Sequence, residues 1–200
     1  MRLEYILLAD GPSDDVLHHP IRWTLRSHWP DVELTDPPVT VPRRHGDVQE
    51  AIQAVVDRFK PDLVIVHRDA ERAPMETRRA EIRDQPGVIP IIPVRMTEAW
   101  LLIDGPALQA AVARPRGPAV ALPRVNRLEQ LPDPKKVLED ALLAAAGEPR
   151  GRARDRLKRD LPQLKRRVAE HIQDYGPLRG LDAFQAWERA LVAALPALRG

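Results

Sequence analysis

Cysteine is absent from all 200 residues of this chain. That absence excludes disulfides, thiolate zinc sites and a cysteine nucleophile, and it leaves the redox compartment open, the cytosol included. Long apolar runs are missing as well. The opening segment MRLEYILLADG carries one Arg and a short apolar run broken by Asp10, which is not the h-region of a signal peptide. No later stretch approaches the roughly 20 apolar residues needed to cross a bilayer, so a cytoplasmic protein with no membrane partner is expected. The histidines (His18, His19, His28, His45, His67 and His171) show neither His-x-x-x-His nor His-Glu-x-x-His spacing, which removes support for a zinc hydrolase. Walker loops, Gly-x-Gly-x-x-Gly and the Gly-x-Ser-x-Gly elbow are also lacking, which argues against nucleotide-fold and esterase chemistry. Only Tyr5 and Tyr175 are available as tyrosine nucleophiles. Tyr5 falls inside the first apolar run, so topoisomerase-style strand passage is not expected.

What is present bounds the fold. With 44% hydrophobic residues over 200 positions, the chain is long enough to bury a sizeable core as one domain, or one domain with a small appendage. Its formal charge of +2 conceals an asymmetry. Residues 1–104 hold 13 Lys and Arg against 18 Asp and Glu, a net of −5, whereas residues 105–200 hold 18 against 11, a net of +7. Much of the excess lies in residues 150–167, where nine basic residues face two acidic ones. A basic stretch beside an acidic site suits a protein that holds a polyanion. A solvated helix face explains the same composition. The organisation read from these patterns is an α/β core over 1–104 and a basic, mainly helical region over 105–200.

The first half alternates strand-like and helix-like segments. Residues 3–9 form an apolar run ending at Asp10-Gly11-Pro12-Ser13, a buried strand followed by a turn. A helix capped by Ser13 or Asp14 should follow, with Val16, Leu17, Ile21 and Leu25 on its buried face and Pro30 as its stop. Residues 32–41 hold one or two short strands interrupted by Pro37-Pro38. The apolar positions Val48, Ile52, Val55, Val56 and Phe59 predict an amphipathic helix over 47–59. Residues 62–66 read as a parallel strand buried on both faces, 75–84 as a polar helix, and 88–94 as a third apolar strand whose prolines mark an edge. This alternation implies right-handed β-α-β units and a mostly parallel sheet.

In open α/β sheets, ligands bind beyond the carboxyl ends of the strands. Asp10 follows the first apolar run, and Asp69 and Glu71 follow the run at 62–66. Two residues apart on extended backbone, Asp69 and Glu71 would point the same way and offer oxygens to one hard cation. Asp14 and Asp15 would add a ligand or simply cap the helix. Gathered around an empty site, such carboxylates repel one another, so Asp69→Asn is expected to leave the metal-free protein as stable or slightly more so.

These residues resemble a known group. Strand, acid, Gly, x, Ser, acid at Ala9-Asp10-Gly11-Pro12-Ser13-Asp14, followed by strand and acid-x-acid at Val64-Ile65-Val66-His67-Arg68-Asp69-Ala70-Glu71, resembles the signature of Toprim domains. Those domains occur in topoisomerases, primases and nucleases of the overcoming-lysogenization-defect type. Glu98-Ala99-Trp100-Leu101-Leu102-Ile103-Asp104, Asp133-Pro134-Lys135-Lys136 and a closing helix over 178–195 resemble blocks of the small Toprim-like group catalogued as domain of unknown function 4276. The likeness extends over nearly the whole chain.

The resemblance implies a Rossmann-like, Toprim-like fold and a Mg²⁺- or Mn²⁺-dependent nuclease that acts on nucleic acid, with a role in defence against mobile DNA. A partner ATPase is compatible with it, and no residue of this chain names one. Asp10, Asp69 and Glu71 would hold the metal, Asp10 would also relay protons, Asp14 would belong to the catalytic group, Glu98 would extend the acidic site, and Lys135 would face the phosphate. Arg68, Arg72, Arg166 and Arg167 would contact the nucleic-acid backbone. Plainer readings stand beside these: Glu98 as a helix-start carboxylate, and Asp133-Pro134 as an ordinary helix cap carrying Lys135 in its first turn. The family pattern has Glu at the Asp10 position and Asp-x-Asp at Asp69-x-Glu71. Each exchange moves a carboxylate by one methylene, and a displacement near ~1 Å costs on the order of 10²-fold in rate. A binding module without turnover is therefore the alternative.

Overall fold

The computed structural model describes residues 2–43 and 46–198, and His45 lies outside them. The chain divides into two units, one running to Val94 and resuming at Asp182, the other spanning Arg95–Leu181. The closing helix packs with the sheet, which is why the chain from Asp182 onward belongs to the first unit.

The first unit is an α/β layer structure built on a parallel sheet. Its strands are β1 (Arg2–Leu3), β2 (Tyr5–Ala9), β3 (Glu33–Leu34), β4 (Val39–Pro42), β5 (Leu63–His67) and β6 (Val88–Ile91). The main sheet has the order β4-β2-β5-β6 with every pairing parallel, and β1 pairs separately with β3. Glu4 separates β1 from β2: its amide donates to Asp62 Oδ2 at 2.7 Å, and its carbonyl accepts from the Asp62 amide at 2.9 Å. Both central strands are buried along their whole length, as continuous apolar runs require when helices cover both faces. The prolines Pro42 and Pro90 occupy the two edge strands, where a missing amide costs no ladder bond.

Helix α1 (His18–His28) is preceded by a 3-10 turn over Pro12–Leu17 that takes the place of the first helical turns expected from Asp14 onward. Helix α2 (Val48–Phe59) starts where its sequence says. Asp47 caps it by accepting from the amides of Gln49 and Glu50 at 2.7 and 3.1 Å, and Lys60 closes it in a left-handed conformation before Pro61. Its Val48, Ile52 and Val55 pack on Ile6, Leu8, Val64 and Val66, alternate residues of β2 and β5 that share one face. Helix α3 (Met75–Ala80) is shorter than the polar segment 75–84, and β6 ends at Ile91 rather than Val94. Beneath β2, a buried polar bridge links Tyr5, α1 and β4: Tyr5 Oη lies 2.8 Å from His18 Nδ1, and His18 Nε2 lies 2.7 Å from Thr40 Oγ1. Burial, with help from His19 and Arg22, pushes His18 down to about 4, so it is neutral in the folded protein.

The second unit is helical: α4 (Gly105–Ala111), α5 (Pro134–Ala145), α6 (Gly151–Arg159) and α7 (Leu161–His171), with 3-10 turns before α4, between α4 and α5, and after α7. Trp100, Leu108, Leu128, Leu142, Val168 and Leu178 form its core. Helix α8 (Asp182–Leu198) returns to the first unit beside β6. Its Phe184 and Trp187 rings meet edge to face, 5.2 Å apart.

Candidate functional site

The strand order creates the site. The chain passes from β2 to β4 on one side and then to β5 on the other, so the loops after β2 and β5 leave adjacent carboxyl ends in opposite directions. Such a switch point is where open parallel sheets form a crevice. Three polar residues, His67, Asp14 and Asp69, meet there. His67, the last residue of β5, has a side chain with no exposed surface. Its Nε2 lies 3.1 Å from Asp69 Oδ1 and its Nδ1 lies 3.5 Å from Asp14 Oδ2. Asp14 is itself positioned by the turn, because its Oδ2 accepts from the Gly11 amide at 3.0 Å and its own amide donates to the Gly11 carbonyl. Burial alone would lower the affinity of His67 for a proton. The bond to Asp69 and the charges of Asp69, Asp14 and Asp10 outweigh it and raise the pKa above the ordinary value. The site is thus a buried imidazole held between the carboxylates of Asp14 and Asp69, with the charge of Asp10 also felt there.

Arginines complete the charge balance. Asp10 Oδ1 accepts from Arg43 Nε and Nη2 at 3.1 and 2.8 Å, and Asp10 Oδ2 lies 3.4 Å from Arg68 Nε. Arg68 reaches on to Glu81 at 2.5 Å, Arg78 pairs with Glu81 at 2.9 Å, and Arg78 also contacts Glu71 at 3.5 Å. The result is an alternating chain of charge running Asp10, Arg68, Glu81, Arg78, Glu71. Arg43 stands directly after the carboxyl end of β4, Arg68 after that of β5, so both are delivered by the same sheet geometry that delivers the acids.

Asp14 and Asp69 both reach His67, Asp10 pairs with Arg43 and Arg68, and Glu71 does not share a face with Asp69. Glu71 adopts φ of 54° in a turn, which ends the extended backbone, and its side chain is 67% exposed toward Arg78. Among the described residues, no three His, Asp or Glu side chains stand as a ready-made ligand set. Asp15 is half-buried in the 3-10 turn, and Arg72 is exposed in the turn after Glu71. Glu98 belongs to the second unit, where it accepts from Lys165 Nζ at 3.1 Å in a nearly buried pair; Trp100, Leu101 and Leu102 beside it are core. Lys135 is exposed in the first turn of α5, whose cap is Asp133 accepting from the Lys136 amide at 2.9 Å. Arg166 and Arg167 are exposed on α7.

His67 precedes the expected ligand Asp69 by two positions, and the places of Arg43, Arg78 and Glu81 at this edge are shown by the structure alone. A signal for Arg43 and His67 existed. Each lies at or just beyond the end of an apolar strand, the rule that singled out Asp10 and Asp69. Among the described residues no helix is long and apolar enough to cross a membrane. The chain matches no protein-family model, no curated protein and no solved structure.

Proposed function

We propose that this protein is a Toprim-like phosphodiesterase whose switch-point carboxylates hold a divalent cation and act on nucleic acid. The observation that carries the reading is the contact of Asp14 and Asp69 with the buried imidazole of His67 at the switch point, with Asp10 and its arginines on the neighbouring strand end. The donor chemistry fits Mg²⁺ or Mn²⁺, since the loops present hard oxygen ligands. Asp10, Asp14 and Asp69 would be the ligands, with Asp14 taking the place sequence reasoning assigned to Glu71. Held by those residues, a divalent cation would supply Lewis-acid polarisation of a phosphoryl oxygen and a more acidic water. His67 would hold a proton between Asp14 and Asp69 and give it up as positive charge arrives. Arg43 and Arg68, already at the rim, would contact phosphate oxygens in bidentate fashion. Glu98 and Lys135 have no part in this reading.

A second reading, a binding module without turnover, draws on a specific observation: both oxygens of Asp10 are engaged by arginines. One experiment separates the two. The protein is melted with and without Mg²⁺ or Mn²⁺ and then incubated with plasmid, single-stranded DNA and tRNA. A nuclease is stabilised by metal and cleaves, and Asp69→Asn abolishes cleavage in a folded protein. His67 also revises the expected stability of that variant. Because the Asp69 carboxylate is hydrogen-bonded to the buried imidazole of His67, Asp69→Asn should cost about 1.5–3 kcal/mol, the range for a charged hydrogen bond, rather than leave stability unchanged. Metal stabilisation without cleavage would select the binding module. Cleavage by Asp69→Asn at the parental rate would refute the assignment of the site.

A further inference from the structure

The second unit carries a groove of about 290 Å³ that no part of the proposed phosphodiesterase site uses. Its wall is apolar, formed by Val112, Pro149, Ala153 and Leu157 among others, and three arginines line it: Arg114, Arg156 and Arg167. None of the three has a side-chain hydrogen bond or ion pair among the described residues. The one carboxylate that lines the groove is Asp160, so three positive charges face one negative. Arg156 and Arg167 come from different helices, α6 and α7, and Arg166, next in sequence to Arg167, does not line the groove because successive helical residues point in different directions.

The geometry that delivers Arg114 is held at a cost. Helices α4 and α5 both end in the same double-bonded cap: Ala113 and Arg114 donate to Ala110 and Gln109, and Gly147 and Glu148 donate to Ala144 and Leu143. Such a cap needs a left-handed residue. In α5 it is Gly147, but in α4 it is Ala113 at φ 57°, a conformation disfavoured for a residue with a Cβ. Gly147 is also bare where Arg114 passes, since a Cβ there would lie 2.5 Å from Arg114 Nη1. Strain of this kind persists where the surroundings impose it, and it gathers at binding sites.

The geometry points to this groove as a subsite for one nucleotide of a single strand, its phosphate among Arg114, Arg156 and Arg167 and its base or sugar against the apolar wall. Three guanidinium groups around one opening suit a phosphate, whose several oxygens accept forked donors. The wall would have no role for a purely anionic peptide. This inference shares with the proposed function only that the ligand is nucleic acid, and it requires neither metal nor cleavage.

The test is therefore run in EDTA. Binding of a fluorescein-labelled thymidine decamer to the full chain is followed by anisotropy across a salt series. Arg156→Gln should weaken binding on the order of 10-fold, the value of one charged hydrogen bond, and lower the salt slope by about one ion per lost contact. Ala153→Glu puts a carboxylate on the wall in the first turn of α6, where acid favours the helix, and should weaken binding as strongly. Arg152→Gln, on the same helix outside the groove lining, should change affinity less than 2-fold, and an abasic decamer should bind more weakly than the thymidine one. Equal effects of Arg152→Gln and Arg156→Gln would overturn the subsite in favour of diffuse charge. Tighter binding of a glutamate decamer would overturn it in favour of an acidic protein partner. Loss of cleavage with these results intact would count against the proposed function alone.

Discussion

Removing the imidazole of His67 tests whether a buried cation organises the carboxylates. In His67→Gln the amide keeps one hydrogen bond but carries no charge, leaving Asp14 and Asp69 to face each other. A fully buried pair broken on one side costs about 3–5 kcal/mol. Asp14 and Asp69 retain 10% and 21% side-chain exposure, so water relieves part of that penalty and about 2–3 kcal/mol is expected. For a chain of this size, about 2–4 °C accompanies each kcal/mol, which places the fall in Tm at roughly 4–12 °C. The pH dependence has a definite sign. His67 has its pKa raised above 6.5 in the folded state, so its stabilisation is fully present below that unfolded value and fades as pH climbs through the folded one. Urea unfolding of parent and variant should therefore differ more at pH 6 than at pH 9. A gap under about 0.5 kcal/mol at pH 6, the scatter of ordinary surface changes, would refute the charged-centre account, as would a gap that widens with pH.

Other consequences follow from the same structure. His18 has its pKa lowered to about 4, so its contribution is present above pH 6.5 and lost as pH falls from there toward 4; relative to His18→Gln, the parent should lose about 3 kcal/mol between pH 7.5 and 4 in urea titrations. Glu71→Gly removes a side chain from a left-handed position and should stabilise by about 0.5–1 kcal/mol while leaving Mg²⁺ affinity in a thermal-shift titration unchanged. A loss of metal affinity would return Glu71 to the ligand set. Lys165→Met leaves Glu98 nearly buried and unpaired and should cost about 3–5 kcal/mol. Adding Glu98→Leu should recover most of that loss, and a double variant no better than the single would show the two residues to act independently.

Much of the fold was legible because it rests on short-range patterns. Parallel strands buried on both faces must be continuous apolar runs, so residues 5–9 and 63–67 announced themselves, and the residues just past their ends were candidates for the site without further information. Asp47 and Asp133 declared helix starts because capping is settled within four residues. The left-handed turn at Glu71 was not legible, since Glu has no preference for it; a single φ angle separated Glu71 from Asp69.

What the sequence alone determined is therefore local: which segments are strand or helix, and which acids sit where strands end. What tertiary structure decided is partnership. Arg43 meets Asp10 across 33 positions, Lys165 meets Glu98 across 67, and α8 rejoins the sheet after the whole second unit has intervened. No pattern of a few residues encodes such meetings, because they depend on the path of the chain between them. Proton affinity follows the same logic: nearby carboxylates outweigh burial and raise the pKa of His67, whereas burial without such neighbours lowers that of His18.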